Sequence, residues 1–579
     1  MKITFNKFFH LAGIVAFLIL SPALSAAQTV PDSAQSGVIE KYLQEKPVIS
    51  PRDFQQQRDI ADEMEQMIDP LRALAAPVPG DDGEIIRVES FLFEGNLVLS
   101  DRVLRRAVWG YLDKELTFGG LKAVAETVTK IYRSKGYFLA RAYLPIQEIR
   151  DGQVRIAVVE GRLGKVTVEG AEHYTERFIL SHFRPEIRGV LNYNRFLHSL
   201  LVLNEYSGLR VRAVVRRGQD PQTADLVLKV EDKNPVSIGF DVNNYGSRYV
   251  SRSRFGSYAA HSNIILQGDR IKIRGMSGSP ARTLGFAGVD YSLPVNRYGT
   301  KAVLFYNWSD FNVQREFRIL DSAGGAQFGS VKLVHPWRRS RRSSLDIFLG
   351  VDLKQSDNYL LGNTSSTDDI LLLKTGVSGS YTDFVRGRNF YSVVLNFGDN
   401  RSETAPSRVG SDGNFFSGQV EIGRFQDFLF GTYLYFNSTV QLSPDVLPVP
   451  EQFAIGGAGT VRGYPQSEYL GDYGFAASLE WRVPPPFIAH HKAPYLKRKW
   501  KDFFQFVTFL DHGQIYTRQP QPGESKNDDI SSAGFGIRFD LGGNFTAKVD
   551  VGFPIGGSDS SDGANSAVHF FLQKEFNFF

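Results

Sequence analysis

The chain has no cysteine among its 579 residues, so it cannot be a disulfide-stapled extracellular scaffold. That absence suits a polypeptide that crosses an oxidising compartment before folding, where stray disulfides would trap it. A strong charge of either sign is missing too. Lys+Arg number 66 against 62 Asp+Glu, which gives no electrostatic reason to expect a nucleic-acid partner. Beyond the N-terminus, no apolar run approaches the length of a membrane-spanning helix. Catalytic signatures are absent as well: G-x-S-x-G, H-E-x-x-H and the phosphate-binding G-x-x-x-x-G-K-[ST] do not occur. His490 and His491 have no second cluster at ligand spacing, so they read as loop histidines. No catalytic residue, metal or cofactor is expected, and the chain does not read as an enzyme.

What it does have is glycine and aromatics: Gly 55, Phe 45 and Tyr 24, with a mean hydropathy of only -0.21. Many aromatics in a chain that is not hydrophobic overall suit surfaces alternating apolar and polar at every second residue. At the N-terminus, Lys2 and Lys7 precede an apolar run over 11–20, and Ser25, Ala26 and Ala27 are small. This pattern predicts a secretory signal peptide over 1–27. A mature chain without a spanning helix enters a membrane only as a closed barrel, which leaves no backbone polar group facing lipid.

Residues 28–83 read as helix and linker, interrupted by Pro47, Pro51, Pro77 and Pro79. Two similar β-α-α-β-β units follow, over 84–161 and 162–233. In the first, strands are expected at 86–93, 137–144 and 153–159, and a helix carries Leu121, Val124, Val128 and Ile131 at helical spacing. In the second, strands are expected at 166–170, 209–216 and 225–231, with helices near 175–183 and 194–207. From 234 to 579 helical periodicity gives way to strict alternation. About sixteen segments of roughly 9–11 residues or more are expected, the length that crosses a tilted bilayer wall. Asp, Lys and Arg on the polar face then line a lumen instead of lying unpaired in a core. By this count the eleventh strand covers about 428–442, the twelfth about 471–483, and Asp511 falls on the thirteenth.

Three stretches carry a resemblance. The first runs from Gly136 and Tyr137 through Arg141 to Leu144 and Pro145, followed by 152–161 ending in Glu160 and Gly161. The second is Val461-Arg462-Gly463-Tyr464. The third is Phe509-Leu510-Asp511-His512-Gly513. Together they resemble the two-partner secretion transporters (TpsB type) of the BamA-like superfamily. The first matches the end of that family's first POTRA domain, a periplasmic polypeptide-binding module. The second matches the VRGY motif of its sixth extracellular loop, and the third the F-x-D-x-G motif of its thirteenth strand.

The resemblance implies a mixed fold, with a plug helix and linker, two POTRA domains and a transmembrane antiparallel barrel of about sixteen strands. It implies an outer-membrane translocator that binds an unfolded exoprotein in the periplasm, adhesin- or haemolysin-like and β-helical, and secretes it through the barrel. It also implies that Arg462 contacts Asp511 on the lumen wall, where a planar fork offers two hydrogen bonds that lysine does not reproduce. Client binding would fall on the POTRA stretch, at free strand edges open to β-augmentation. Outer-membrane lipid, lipopolysaccharide and the barrel assembly machinery are further expected partners of a monomer with periplasmic POTRA domains. A plug helix is expected within 30–46 or 51–74. A BamA-like assembly factor and a passive porin are the alternatives; two POTRA-like units argue against the first, and periplasmic modules against the second. Two features depart from the pattern. The last strand alternates on Phe570, Leu572, Phe576 and Phe578 with Lys574 interrupting, and the turn over 484–501 is long and basic. That turn reads as a solvated insertion.

Overall fold

The computed structural model describes residues 34–36, 38 and 85–579, apart from isolated positions at 220–222, 234–235, 403, 495, 497, 523, 543–544 and 579. The expected signal peptide and most of the 28–83 tether lie outside the described residues.

In the first β-α-α-β-β unit, Thr117 caps the helix Phe118–Ser134 by accepting from the Gly120 N–H at 3.2 Å. That helix buries Leu121, Val124, Ala125, Val128 and Tyr132 on one face. It ends where Gly136 takes φ +95°, a left-handed stop that glycine allows. The central strand Gln153–Val159 runs parallel to Ser90–Glu94 and antiparallel to Arg141–Tyr143. Val154, Ile156 and Val158 meet the helices in the core. Two expected strands are shorter than their patterns suggested. Ile86–Arg87 leaves the sheet to pair with Glu115–Leu116. The 137–144 strand shrinks to Arg141–Tyr143, because Tyr137 packs into this core while Phe138 is buried in the core of the next unit.

The second unit repeats the sheet order, with Thr223–Asp232 between Arg162–Glu169 and Leu209–Arg217. Helices Glu176–His182 and Tyr193–Leu203 are capped by Thr175 and Asn192. Between them lies a short helix, Arg184–Arg188, with a proline in its first turn, which periodicity did not anticipate. In both units the outer strands of the sheet are paired on one side only.

The rest of the chain forms a closed barrel of sixteen antiparallel strands, from Val236–Asn243 to Ala567–Phe578. The last strand closes on the first, Phe578 opposite Val236 and Phe571 opposite Asn243. Alternation has the expected consequence on the seventh strand, Ser343–Leu360. Leu349, Val351 and Leu353 point outward, while Asp352 is buried inside, accepting from Ser330 at 2.7 Å and pairing with Lys374. The first strand has only 8 residues, below the expected minimum, whereas the eighth has 20. The eleventh, twelfth and thirteenth strands are Tyr433–Leu442, Tyr473–Val483 and Phe504–Tyr516. The stretch before Tyr433, expected to be strand, is a turn around Leu429–Gly431. In the last strand Leu572, Phe576 and Phe578 face outward. Lys574 shares that face, its ammonium 5.2 Å from the Phe576 ring near the strand's POTRA-side end. A long cationic side chain reaches the headgroups from such a position.

The second β-α-α-β-β unit sits against the barrel rim. Thr175 donates to Gln267 Oε1 at 2.8 Å, and Val202 lies against Gly299. His198 accepts from the Arg339 N–H at 3.1 Å, while the Arg339 side chain pairs with Glu205 and, at 2.7 Å, with Asp346. Residues 34–36 and 38 lie inside the barrel. Ala34 packs with Met276, Phe286 and Phe311, the Ser36 N–H donates to Asn358 Oδ1 at 2.9 Å, and the Ser36 and Ser356 hydroxyls are 2.5 Å apart. Of the two candidate plug segments, 30–46 therefore has residues in the lumen; 51–74 lies outside the described residues.

Candidate functional site

The loop between the eleventh and twelfth strands folds back into the barrel as a small hairpin, Phe453–Ile455 paired with Tyr469–Gly471. Its tip carries the four-residue motif. Gly456 and Gly457 take φ of +102° and +91°, which reverse the chain at the tip. Val461 is buried with Phe453, Ile455, Tyr464 and Ile515. Gly463 passes between strands so closely that a β-carbon there would stand 2.7 Å from Ser532 Cβ and 2.9 Å from the Pro554 nitrogen. The Tyr464 hydroxyl donates to the Gly556 carbonyl at 3.2 Å.

Arg462 is the centre. Its Nε donates to Asp511 Oδ2 at 2.8 Å, its Nη2 to Oδ1 at 2.7 Å, and its backbone N–H to Oδ2 at 3.1 Å. The resemblance implies the two-pronged contact; the main-chain bond is additional. The thirteenth-strand motif accounts for the rest. Phe509, Asp511 and Gly513 share the inward face. The Phe509 ring lies 3.5 Å from the guanidinium, a cation–π contact. Gly513 leaves room for Ile455 and Val461, whose methyls would stand 2.9 and 3.1 Å from a β-carbon.

Several partners were not visible in the sequence motifs. Arg462 Nη1 donates to Glu480 Oε1 at 2.6 Å, and Nη2 to Ser478 at 2.9 Å. Glu480 also accepts from Arg482 and Arg538, and Arg538 donates to Asp550 at 2.7 Å. Three guanidiniums and three carboxylates thus interleave across strands twelve to fifteen. His569 Nε2 donates to the Arg462 carbonyl at 2.9 Å from strand sixteen. The signal was present, since Glu480 interrupts the outward Leu479 and Trp481, but only strand register shows that it lies opposite Phe509, on which the Arg462 guanidinium stacks, while Ser478 lies opposite Asp511. Arg462 is 5% exposed and Asp511 2%, so the full cost of breaking a buried pair applies.

A second buried arginine fixes the outer half of the same loop. Arg408 Nη1 donates to both oxygens of Asp472, at 2.8 and 3.0 Å, and its Nη2 donates to Glu524 at 3.0 Å. This ties together the loops after strands nine, eleven and thirteen.

The POTRA stretch separates into two kinds of residue. Arg141 is exposed on the edge strand, with Leu144 and Pro145 half-buried beyond it. Gly136 lies at the joint between the two units, where its carbonyl accepts from the Tyr193 N–H at 2.8 Å. Tyr137 packs edge-on to Tyr132. Glu160 is 6% exposed, accepting from the Val98 N–H at 2.8 Å and the Tyr132 hydroxyl at 2.9 Å. Burial, with Glu160 beside it, pushes the Tyr132 phenol well above its ordinary range. Gly161, at φ +69°, sits against Leu139. Glu160 and Gly161 were expected to meet a client; they hold the unit together instead, because their surroundings leave no side-chain surface to offer.

Comparison with known proteins now bears on this geometry. The family profile described as haemolysin secretion/activation protein ShlB/FhaC/HecB matches residues 222–539, more than half of the chain. The chain belongs to this family. A ShlB-type POTRA profile matches residues 86–161 of the transporter. It is 22% identical over 460 residues to the heme/hemopexin transporter protein HuxB of Haemophilus influenzae, covering 77% of this chain and 79% of HuxB. It is 25% identical over 536 residues to the outer membrane transporter CdiB of Escherichia coli strain 536, covering 86% of each. The solved structure of CdiB from Escherichia coli superposes with a TM-score of 0.74 at 22% identity, over 92% of this chain and all of that one. The protein is thus an outer-membrane two-partner secretion transporter. Its POTRA side faces the periplasm, and an exoprotein is its partner.

Proposed function

We propose that this transporter captures its unfolded partner along the free POTRA strand edges and passes it outward through the lumen, with the arginine-bearing loop as the element that must be correctly seated. The observation that carries this reading is Arg462, buried deep in the barrel and held by Asp511 and Glu480. An extended client adds to an edge such as Arg141–Tyr143 as one more strand; its main chain supplies affinity and alternate side chains supply register. Residues 34–36 and 38 and the hairpin occupy the lumen at rest and shift when the client enters. The outer membrane offers no nucleotide, so folding of the client outside gives the movement its direction. The client is an adhesin- or haemolysin-like β-helical exoprotein, and the transporter is a monomer inserted by the barrel assembly machinery among outer-membrane lipid and lipopolysaccharide. A passive porin fits less well, because the hairpin and residues 34–36 and 38 lie inside the lumen. The test is Arg462→Ala. The variant inserts and keeps its heat-dependent gel shift, yet its partner no longer reaches the medium; normal secretion counts against this mechanism.

A further inference from the structure

Three successive turns on the periplasmic rim, those after strands eight, ten and twelve, each hold a phenylalanine almost wholly in the open. Phe384 is 94% exposed, Phe430 98% and Phe487 96%. Large apolar side chains left bare at three equivalent places mark a surface that something covers. Phe430 and Phe487 also hold left-handed backbone, at φ +57° and +66°, which is disfavoured for a bulky residue and points from an unusual conformation toward a use. The second β-α-α-β-β unit contacts the rim elsewhere, at the turns after strands two and four and at the end of strand six.

Two observations identify what covers these turns. The first is continuity with the lipid-facing wall. Trp500, in the last of the three turns, packs edge-on at 6.2 Å to Phe504, which packs at 5.1 Å to Phe506 on the outward face of strand thirteen. Above the first turn, Tyr381 and Tyr391 stand 6.4 Å apart on the outer face, where an interfacial aromatic belt belongs. The second is charge. Lys492, Arg498 and Lys499 are exposed on the same turn as Phe487, and Arg386 lies two residues from Phe384. Apolar tips flanked by cations match a phospholipid interface, with rings among the acyl chains and cations at the phosphates.

We propose that these three turns form a membrane foot that inserts into the phospholipid leaflet facing the periplasm. The stretch 484–501, a solvated insertion by sequence alone, is its largest part. The foot fixes the depth of the barrel on the side that the second POTRA unit leaves uncovered.

The absence of native cysteine makes the test direct. Full-length Phe384→Cys, Phe430→Cys and Phe487→Cys variants carry one nitroxide each and are reconstituted in phosphatidylethanolamine–phosphatidylglycerol vesicles. Collision with oxygen, which partitions into lipid, is compared with collision with a water-soluble nickel chelate. Leu353→Cys on the wall sets the lipid limit, and Glu148→Cys in the first POTRA unit sets the water limit. The foot gives three sites that resemble 353, with nickel collision several-fold below that at 148. Sites that resemble 148 overturn the proposal. So do sites that lose nickel access only when the partner exoprotein is added, because the turns then serve the client.

Discussion

A β-carbon at Gly552 would stand 2.5 Å from the carbonyl oxygen of Arg462. The motif backbone therefore lies directly on strand fifteen, and the depth of Arg462 in the barrel is set by main-chain contact as well as by charge. His569 donates to that same carbonyl.

The first prediction follows from this contact. Gly552→Ala adds one methyl where only a shift of the loop backbone can make room, so the hairpin fails to seat. Gly556→Ala, on the same strand, meets nothing within 4 Å. Both variants insert. The first loses secretion and exposes the sixth loop to external protease; the second behaves as the parent does. Equal secretion by the two would show that seating of the hairpin does not depend on this contact.

Arg462→Lys separates charge from shape. An ammonium keeps the positive charge but cannot hold both Asp511 oxygens and Glu480 at once. Removing one partner of a buried ion pair costs about 3–5 kcal/mol, and lysine recovers only part of that. Heat-dependent gel shifts should place the variant's unfolding temperature between those of the parent and Arg462→Ala, with secretion well below the parent. Parental values in both assays would make the fork unnecessary.

Much of this architecture is legible in the sequence because a barrel wall has a strict period of two. Val549, Val551 and Phe553 alternate with Asp550 and Gly552, and the count of such segments places Asp511 on strand thirteen with no knowledge of contacts. Arg462 and Asp511 are readable because a short motif names each. Glu480, Arg538 and Asp550 are not, since their pairing depends on register between strands, and alternation alone leaves register open. The POTRA stretch misleads for another reason. A run such as Gly136, Glu160 and Gly161 looks the same whether it contacts a client or shapes the backbone. Only the positive φ of the glycines and the burial of Glu160 distinguish the two.

The second β-α-α-β-β unit has its own pH signature. Burial alone would raise the Asp232 carboxyl, but N–H donors from Glu172, His173 and Tyr174, at 2.7–2.9 Å, hold it below the usual carboxylate range. A carboxyl with a depressed folded value stabilises fully above its unfolded value of about 3.9, and that stabilisation is lost as pH falls through the folded value. Asp232→Asn should therefore speed hydrogen exchange at the amides of residues 172–174 at neutral pH. The difference from the parent should vanish in acid below the folded value. A difference that persists there would exclude the carboxylate as its cause.

The central claim is that the client passes through the same lumen that residues 34–36 and 38 occupy at rest. Ser36 and Ser356 place their hydroxyls in contact across that space, and the chain has no cysteine of its own to interfere. In a Ser36→Cys, Ser356→Cys transporter, the oxidised cross-link should stop release of the partner exoprotein, and reduction should restore it. Full secretion from quantitatively cross-linked transporter would contradict the account.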